Sequence, residues 1–452
     1  MSDGSSRPCP GELLKVTWKM TDAQIGESTW TKISGDIARR VTDPDRVLTV
    51  LENQPGAEDW NPQSRHALGS GLLGPAILLG GDPTRASHDG PAAHEHMRRV
   101  ARWVTSVPAL NPGLYSGQAG VAFGIVMRQR AAGGYTGALR ELDRKISTGI
   151  AAICRRMNEN SIGDRARFDT IAGLAGIGRY ALMRPASMAD ALRTVLSTLV
   201  GMSESVRAGG LSVPGFWCLT RPRGEPVESV QEGHLNLGLS HGIAGPLALL
   251  SLARSSGIEV PHQERAIERL AQIFQEQQLV DHRGVYWPNL LTWDDWRRGY
   301  STKERGRTAW CYGGLGIACS LQLAAAATGR RDLRELATDS VDAIIRTPLP
   351  EWGIRDVSLC HGWAGALNCL KFFSDGERAE DVSRARDRIA AIIEKEFDPD
   401  SPFGYRYPDE RHDQLLDRPG FLDGASGIAL ALEAYSSGET SAAPWDAALL
   451  LA

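Results

Sequence analysis

Two kinds of hydrophobic pattern alternate along the chain, separated by glycine-marked breaks. In the first, apolar residues recur three or four apart among charges, as in HQERAIERLAQIFQEQ (262–277) and RDLRELATDSVDAIIR (331–346). That spacing predicts amphipathic helices with one buried face. In the second, a run of small and apolar residues follows directly on a glycine pair, which predicts a helix buried on most sides. Strict apolar–polar alternation, the mark of a half-buried strand, is scarce.

The glycine pairs repeat. A G-x-x-G step followed by an apolar run occurs seven times: SGLLGPAILL from Ser70, SGQAGVAFGI from Ser116, AGLAGIGRYAL from Ala172, HGIAGPLALL from His241, YGGLGIACSL from Tyr312, HGWAGALNCL from His361 and DGASGIALAL from Asp423. Their first glycines stand at 71, 117, 173, 242, 313, 362 and 424, between 46 and 71 residues apart, which leaves room for two helices in each gap. Glycine permits the backbone turn and the close approach of neighbouring helices. Seven units of one outer and one inner helix predict an all-α fold, an α/α toroid or barrel. An open helical solenoid is the alternative, and the uneven gaps argue against it, because solenoids keep a tighter period. Closure also explains how one domain exceeds the usual size. On this reading residues 65–452 form the toroid, and residues 1–64 are a helical lead-in segment packed on the barrel. The longest gaps, 174–241 and 243–312, hold Pro214, Pro222 and Pro226 and the stretch VYWPNLLTWDDWRRGY (285–300). They read as loops or small insertions shaping a substrate entrance, or as aromatic packing.

Composition narrows the function. The chain has 452 residues with 49 glycines, about 17 more than the usual ~7% share. Its 24 prolines are ordinary, so the excess points neither to collagen nor to a disordered linker. Two glycines in each of the seven turns, 14 in all, absorb most of it. The net charge is −4, from 54 acidic and 50 basic residues with no Lys/Arg block, which argues against nucleic-acid and anionic-membrane partners. No apolar run reaches the ~18 residues of an integral membrane segment. The opening MSDGSSRPCPGEL has no apolar core, so no secretory signal is expected. Seven thinly spread cysteines (Cys9, Cys154, Cys218, Cys311, Cys319, Cys360 and Cys369) fit a reducing cytoplasm better than a disulfide framework.

Candidate chemistry lies just before the glycines. The preceding residues are Ser70, Ser116, Ala172, His241, Tyr312, His361 and Asp423, and one position earlier stand Gly69, Tyr115, Ile171, Ser240, Cys311, Cys360 and Leu422. In a closed ring these equivalent positions converge at one end of the axis. Cys311, Cys360 and His361 then form a three-ligand zinc site of thiolates and imidazole, with a fourth position open for substrate. A structural zinc with a distant fourth ligand is the competing reading. Cys319 and Cys369 lie two turns into their helices and read as core residues. Two cysteinates neutralise Zn²⁺, so an incoming thiolate would stay electron-rich. Such a site suits activation of a substrate thiol, whose free pKa of ~8.5 leaves it mostly protonated at neutral pH.

The segments LSHGIAGP (239–246), RTAWCYGGLGIA (307–318), LCHGWAG (359–365) and GFLDGASGIAL (420–430) resemble the lanthionine synthetase C-like cyclases, and the resemblance runs from about residue 65 to 435. It implies an α/α toroid of seven inner and seven outer helices. It also implies one Zn²⁺ per chain, held by Cys311, Cys360 and His361. His241 matches the family's acid/base histidine and Asp169, in FDTIAGLAG, an aspartate beside it. Arg307, Tyr312 and Trp310 match active-site residues around the W-C-Y-G motif. The implied reaction is conjugate addition of a cysteine thiolate to dehydroalanine or dehydrobutyrine in a dehydrated precursor peptide that carries a leader. His241 would transfer the proton and Arg307 would stabilise the enolate. Structural roles compete: Arg307 as a loop tie, Asp169 as a helix cap, Tyr312 and Trp310 as pocket walls. The expected setting is a stand-alone cytoplasmic cyclase, served by a separate dehydratase and an exporter in a membrane-associated complex. Three rivals remain. Animal relatives add glutathione to dehydroamino acids. Zinc prenyltransferases share the toroid but use a D-x-C ligand pattern that is not found here. A non-catalytic, zinc-stapled peptide-binding module is the third.

Overall fold

The computed structural model describes residues 28–57, 62–107, 110–159, 162–221, 225–376, 378–409, 414–438 and 444–451. Residues 1–27, with Cys9, and Pro222 lie outside the described residues. Two helices, α1 (Thr29–Arg40) and α2 (Pro44–Asn53), precede the first glycine turn. Helices then come in pairs, each a buried one followed by an amphipathic one. These are α3 (Leu73–Gly80) and α4 (Pro83–Ser106), α5 (Gln118–Ala132) and α6 (Thr136–Glu159), α7 (Leu174–Leu182) and α8 (Pro185–Met202), and α9 (Ala244–Ser255) and α10 (Gln263–Glu276). A short α11 (Trp293–Arg298) follows, then α12 (Gly314–Thr328) and α13 (Arg331–Arg346), α14 (Trp363–Leu370) and α15 (Ala379–Lys395), and last α16 (Ala425–Ser436). Every residue of α3, α7 and α14 is buried. On α13 burial recurs at Leu333, Leu336, Ala337, Ser340, Val341 and Ile344, the face its periodicity predicts.

The buried helices form a closed ring. Contacts run from α3 to α5, α7, α9, α12, α14 and α16, and α16 packs back on α3. Outside them stand α4, α6, α8, α10, α13 and α15, each against its own partner. The outer place on α16 is taken by α1, so the first described helix covers the last inner one.

A belt of backbone hydrogen bonds closes the same ring at the glycine turns. Gly69 N–H donates to Tyr115 O (3.1 Å), Tyr115 to Ile171 (3.2 Å), Thr170 to Ser240 (3.0 Å), Ser240 to Cys311 (3.3 Å), Cys311 to Cys360 (3.1 Å), Cys360 to Leu422 (2.8 Å) and Leu422 back to Gly69 (2.8 Å). An open solenoid has no return bond of this kind. The glycines follow from the tightness of the belt. At Gly313 φ is +94°, a region that favours glycine, and an added Cβ would lie 2.0 Å from the Arg307 carbonyl oxygen. At Gly365 it would meet Leu359 O at 2.1 Å.

Among the described residues the strands are short and pair as antiparallel twos: β1 (Ser205–Ala208) with β2 (Leu211–Pro214), and β3 (His234–Asn236), β4 (Leu279–Asp281), β5 (Gly284–Tyr286) and β6 (Leu290–Thr292) paired as β3–β6 and β4–β5. These fill the two long gaps. A last hairpin joins β7 (Arg406–Asp409) and β8 (Gln414–Asp417) between α15 and α16. The Trp-rich stretch is largely packing. Trp287 is fully buried against Phe274, and Trp293 and Trp296 pack edge-on to Trp217 at 5.7 and 6.3 Å.

The C-terminal segment Trp445–Leu449 is buried inside the ring. It touches α7, Tyr115 (Oη to Ala448 O, 2.8 Å), Trp310 (Nε1 to Leu449 O, 2.9 Å), Lys371 (Nζ to Asp446, 3.4 Å) and Phe421 (5.9 Å from the Trp445 ring). Those residues come from five different repeats, so only the axis can reach them all. Among the described residues no helix is long and apolar enough to cross a membrane.

Candidate functional site

The belt explains why the candidate ligands meet. Cys311 N–H bonds the carbonyl of Cys360, which sets two consecutive turns edge to edge, and His361 follows Cys360 directly. One donor atom each from Cys311, Cys360 and His361 lies within 4.8 Å of the others. Among the described residues no other group of three such donors gathers in this way. Cys311 is buried and Cys360 half-buried. Cys319 and Cys369 lie together in the core, the first with its thiol 3.7 Å from the Cys369 carbonyl.

The electrostatics favour a thiolate. The hydrogen bond from Cys360 holds the Cys311 thiol well below its ordinary range against the opposing effect of burial, with His361 and the Arg307 charge helping. The same bond, with burial, pushes Cys360 well above its ordinary range. The turns also begin helices: α12 starts three residues after Cys311 and α14 two residues after His361. Helix N-termini favour anions at such positions. On His361, Nε2 is engaged outward, 2.6 Å from Tyr407 Oη and 3.3 Å from Asp356 Oδ2, which leaves Nδ1 for a metal. Two soft sulfur donors and one imidazole, with no fourth His, Cys, Asp or Glu in the group among the described residues, suit zinc with an open position and not magnesium or calcium.

The neighbouring turn carries the second group. His241 Nδ1 lies 2.6 Å from Asp169 Oδ2. The other Asp169 oxygen accepts the backbone N–H groups of Ala172 and Gly173 at 2.8 and 2.9 Å. Asp169 is therefore both the cap of its own turn and the partner of the histidine. Tyr312 sits beside His241, with ring centroids 6.4 Å apart. Its hydroxyl accepts from Asn236 Nδ2 at 2.9 Å, and burial pushes its phenol up to about 12. Arg307 is half-buried, and its positive charge acts on both Cys311 and His361, so it lies within electrostatic reach of the cluster. Trp310 stands next to Cys311 in the chain. Its side chain is fully buried and its indole N–H is committed to the Leu449 carbonyl, so it presents no polar atom to a substrate.

Asn236, Asp356 and Tyr407 were not found from the sequence. The first two have a signal of their own. Six residues before each first glycine stand Arg65, Asn111, Arg167, Asn236, Arg307, Asp356 and Arg418, all polar. In the three Asx residues the side-chain oxygen accepts the N–H two positions on: Gly113 at 2.9 Å, Gly238 at 3.0 Å and Ser358 at 2.7 Å. This is an Asx turn that shapes the approach to the glycines. Arg307 thus belongs to a positional series as well as to the site. Tyr407 comes from the β7–β8 hairpin, outside the repeat, and no spacing announces it.

Comparisons with known proteins bear on the family and the fold. A family model, that of the lanthionine synthetase C-like proteins, matches residues 62–450. The nisin biosynthesis protein NisC of Lactococcus lactis subsp. lactis is 24% identical over 348 residues, or 76% of this chain and 78% of that protein. The solved structure of nisin cyclase matches with a TM-score of 0.72 at 22% identity, over 90% of this chain and 97% of that one. That structural likeness bears on the toroid fold.

Proposed function

The chain belongs to the lanthionine synthetase C-like family, and from that premise we propose that it is a zinc-dependent lanthipeptide cyclase. Its substrate would be a dehydrated precursor peptide with a leader, supplied by a dehydratase reaction. The observation that carries the reading is the meeting of Cys311, Cys360 and His361 at one end of the ring, one turn away from the paired His241 and Asp169.

Zinc held by Cys311, Cys360 and His361 would keep a substrate cysteine ionised at neutral pH. Addition makes one carbon–sulfur bond at the β-carbon of dehydroalanine or dehydrobutyrine. The double-bond electrons move toward the neighbouring carbonyl, and the resulting enolate must gain a proton at Cα. His241 would make that transfer. Asp169 accepts from Nδ1, which fixes the ring and leaves Nε2 to carry the proton. The proton gained at Cα balances the one lost by the thiol, so the product is an isomer of the substrate. Arg307 supplies positive charge toward the developing enolate oxygen. Tyr312 receives a hydrogen bond from Asn236, so its own hydrogen is left to donate, and a phenol held near 12 donates without ionising.

Because mass does not change, the test counts thiols. Zinc-loaded protein should lower the number of alkylatable cysteines in a dehydrated peptide while its mass stays constant. Full retention of thiols rejects the reading. Rapid addition of glutathione to a dehydroalanine peptide without cysteine would favour the glutathione-adding alternative.

A further inference from the structure

The β7–β8 hairpin lies outside the helical repeat, yet it delivers a side chain to the proposed metal ligands. We infer that Tyr407 is a positioning residue for the metal: its hydroxyl holds the His361 ring with Nε2 outward, so that Nδ1 faces the two thiols. This rests on the zinc reading above.

The geometry supports a dedicated contact. Tyr407 Oη lies 2.6 Å from Nε2, nearer than Asp356 Oδ2 at 3.3 Å. Asp356 is also committed to its own turn through the Ser358 N–H at 2.7 Å. The two rings meet edge to face at 5.5 Å and 70°. On the Tyr407 ring lies the Arg418 guanidinium, 4.2 Å from its centroid. Arg418 in turn bonds Asp423 at 2.6 Å, and Asp423 accepts from Ser70 Oγ at 3.0 Å. Tyr407 is therefore held between a ligand ring on one side and a cation tied into the seventh and first turns on the other. A metal-binding imidazole needs a partner at its second nitrogen to fix its tautomer and orientation, and loss of that partner costs about 10–100-fold in metal affinity.

Tyr407→Phe keeps the ring under Arg418 and removes only the hydroxyl. The control is Tyr405→Phe, the same change two residues away, where the hydroxyl donates to Ile393 O at 2.9 Å in the core. Zinc affinity is read by chelator competition and ligand geometry by the visible spectrum of the cobalt(II)-loaded protein. Tyr407→Phe should weaken zinc about tenfold and shift the cobalt ligand-field bands, while Tyr405→Phe leaves both unchanged. Unchanged zinc affinity in Tyr407→Phe overturns the inference, and so does equal weakening in both variants. A wild-type protein that takes up no zinc removes the zinc reading itself, a result distinct from either.

Discussion

The turns at Ser240, Cys311 and Cys360 and those at Gly69, Tyr115 and Ile171 are built alike and do different work. Both arcs share the belt of backbone bonds, the glycine pair and a buried helix beyond it. One arc presents Ser240–His241, Cys311–Tyr312 and Cys360–His361, and the other presents Gly69–Ser70, Tyr115–Ser116 and Ile171–Ala172 at the same places. The backbone therefore specifies a ring of equivalent positions, and side-chain identity alone decides which carry chemistry. The join between the arcs is uneven. At the third turn it is Thr170 N–H, not Ile171, that bonds Ser240 O, and Thr170 Oγ1 also bonds Leu239 O at 2.6 Å. The register slips by one residue next to Asp169, which reaches across to His241.

The comparison breaks most sharply at the ligands. Cys311→Ala or Cys360→Ala should abolish zinc uptake and cyclisation, whereas Ser70→Ala and Ser116→Ala should leave zinc stoichiometry intact. Full metal occupancy in either cysteine variant, read by metal analysis of the purified protein, would sink the assignment. Next in size, His241→Ala should retain zinc and slow ring closure about 10²–10⁴-fold, the range of a lost general acid/base. An unchanged rate of thiol loss rejects its role. Smaller still is a test of the shared backbone. Gly176→Ala in the plain arc and Gly365→Ala in the other would put a Cβ 2.0 Å from Thr170 O and 2.1 Å from Leu359 O. Both should cost stability by similar amounts, about 1–3 kcal/mol or more. A large loss at one and none at the other, in denaturant unfolding, would show that the arcs are not equivalent.

How much of this could be read from the sequence follows from the same distinction. The turns and the toroid were legible because a belt this tight accepts little but glycine, and it repeats. The cluster of Cys311, Cys360 and His361 was legible because its members sit at a fixed offset from those glycines. Asn236 and Asp356 repeat as well, but their series mixes Arg with Asx, so identity conceals the position. Tyr407 depends on a hairpin folding back from 46 residues away, a contact no local pattern records. Trp310 stands next to Cys311 in the chain, and its indole N–H reaches the C-terminal segment, a contact no local pattern records.

A last contrast sets a histidine of the plain side against the site histidines. His96, on α4, is fully buried, and its Nε2 bonds Val41 O at 2.8 Å just beyond α1. Burial lowers its pKa from 6.5 to about 4. The folded protein thus holds it neutral while the unfolded chain binds a proton between those values. Its contribution is intact above pH 6.5 and is lost as pH falls toward 4, because there the unfolded state carries more protons. The full shift corresponds to about 3 kcal/mol. His96→Gln keeps an N–H for Val41 and cannot titrate in this range. It should match the wild type at pH 7 in stability, zinc content and cyclisation, and lose less stability between pH 6.5 and 4. Identical pH profiles in urea unfolding would mean that His96 does not couple α1 to the ring through its protonation.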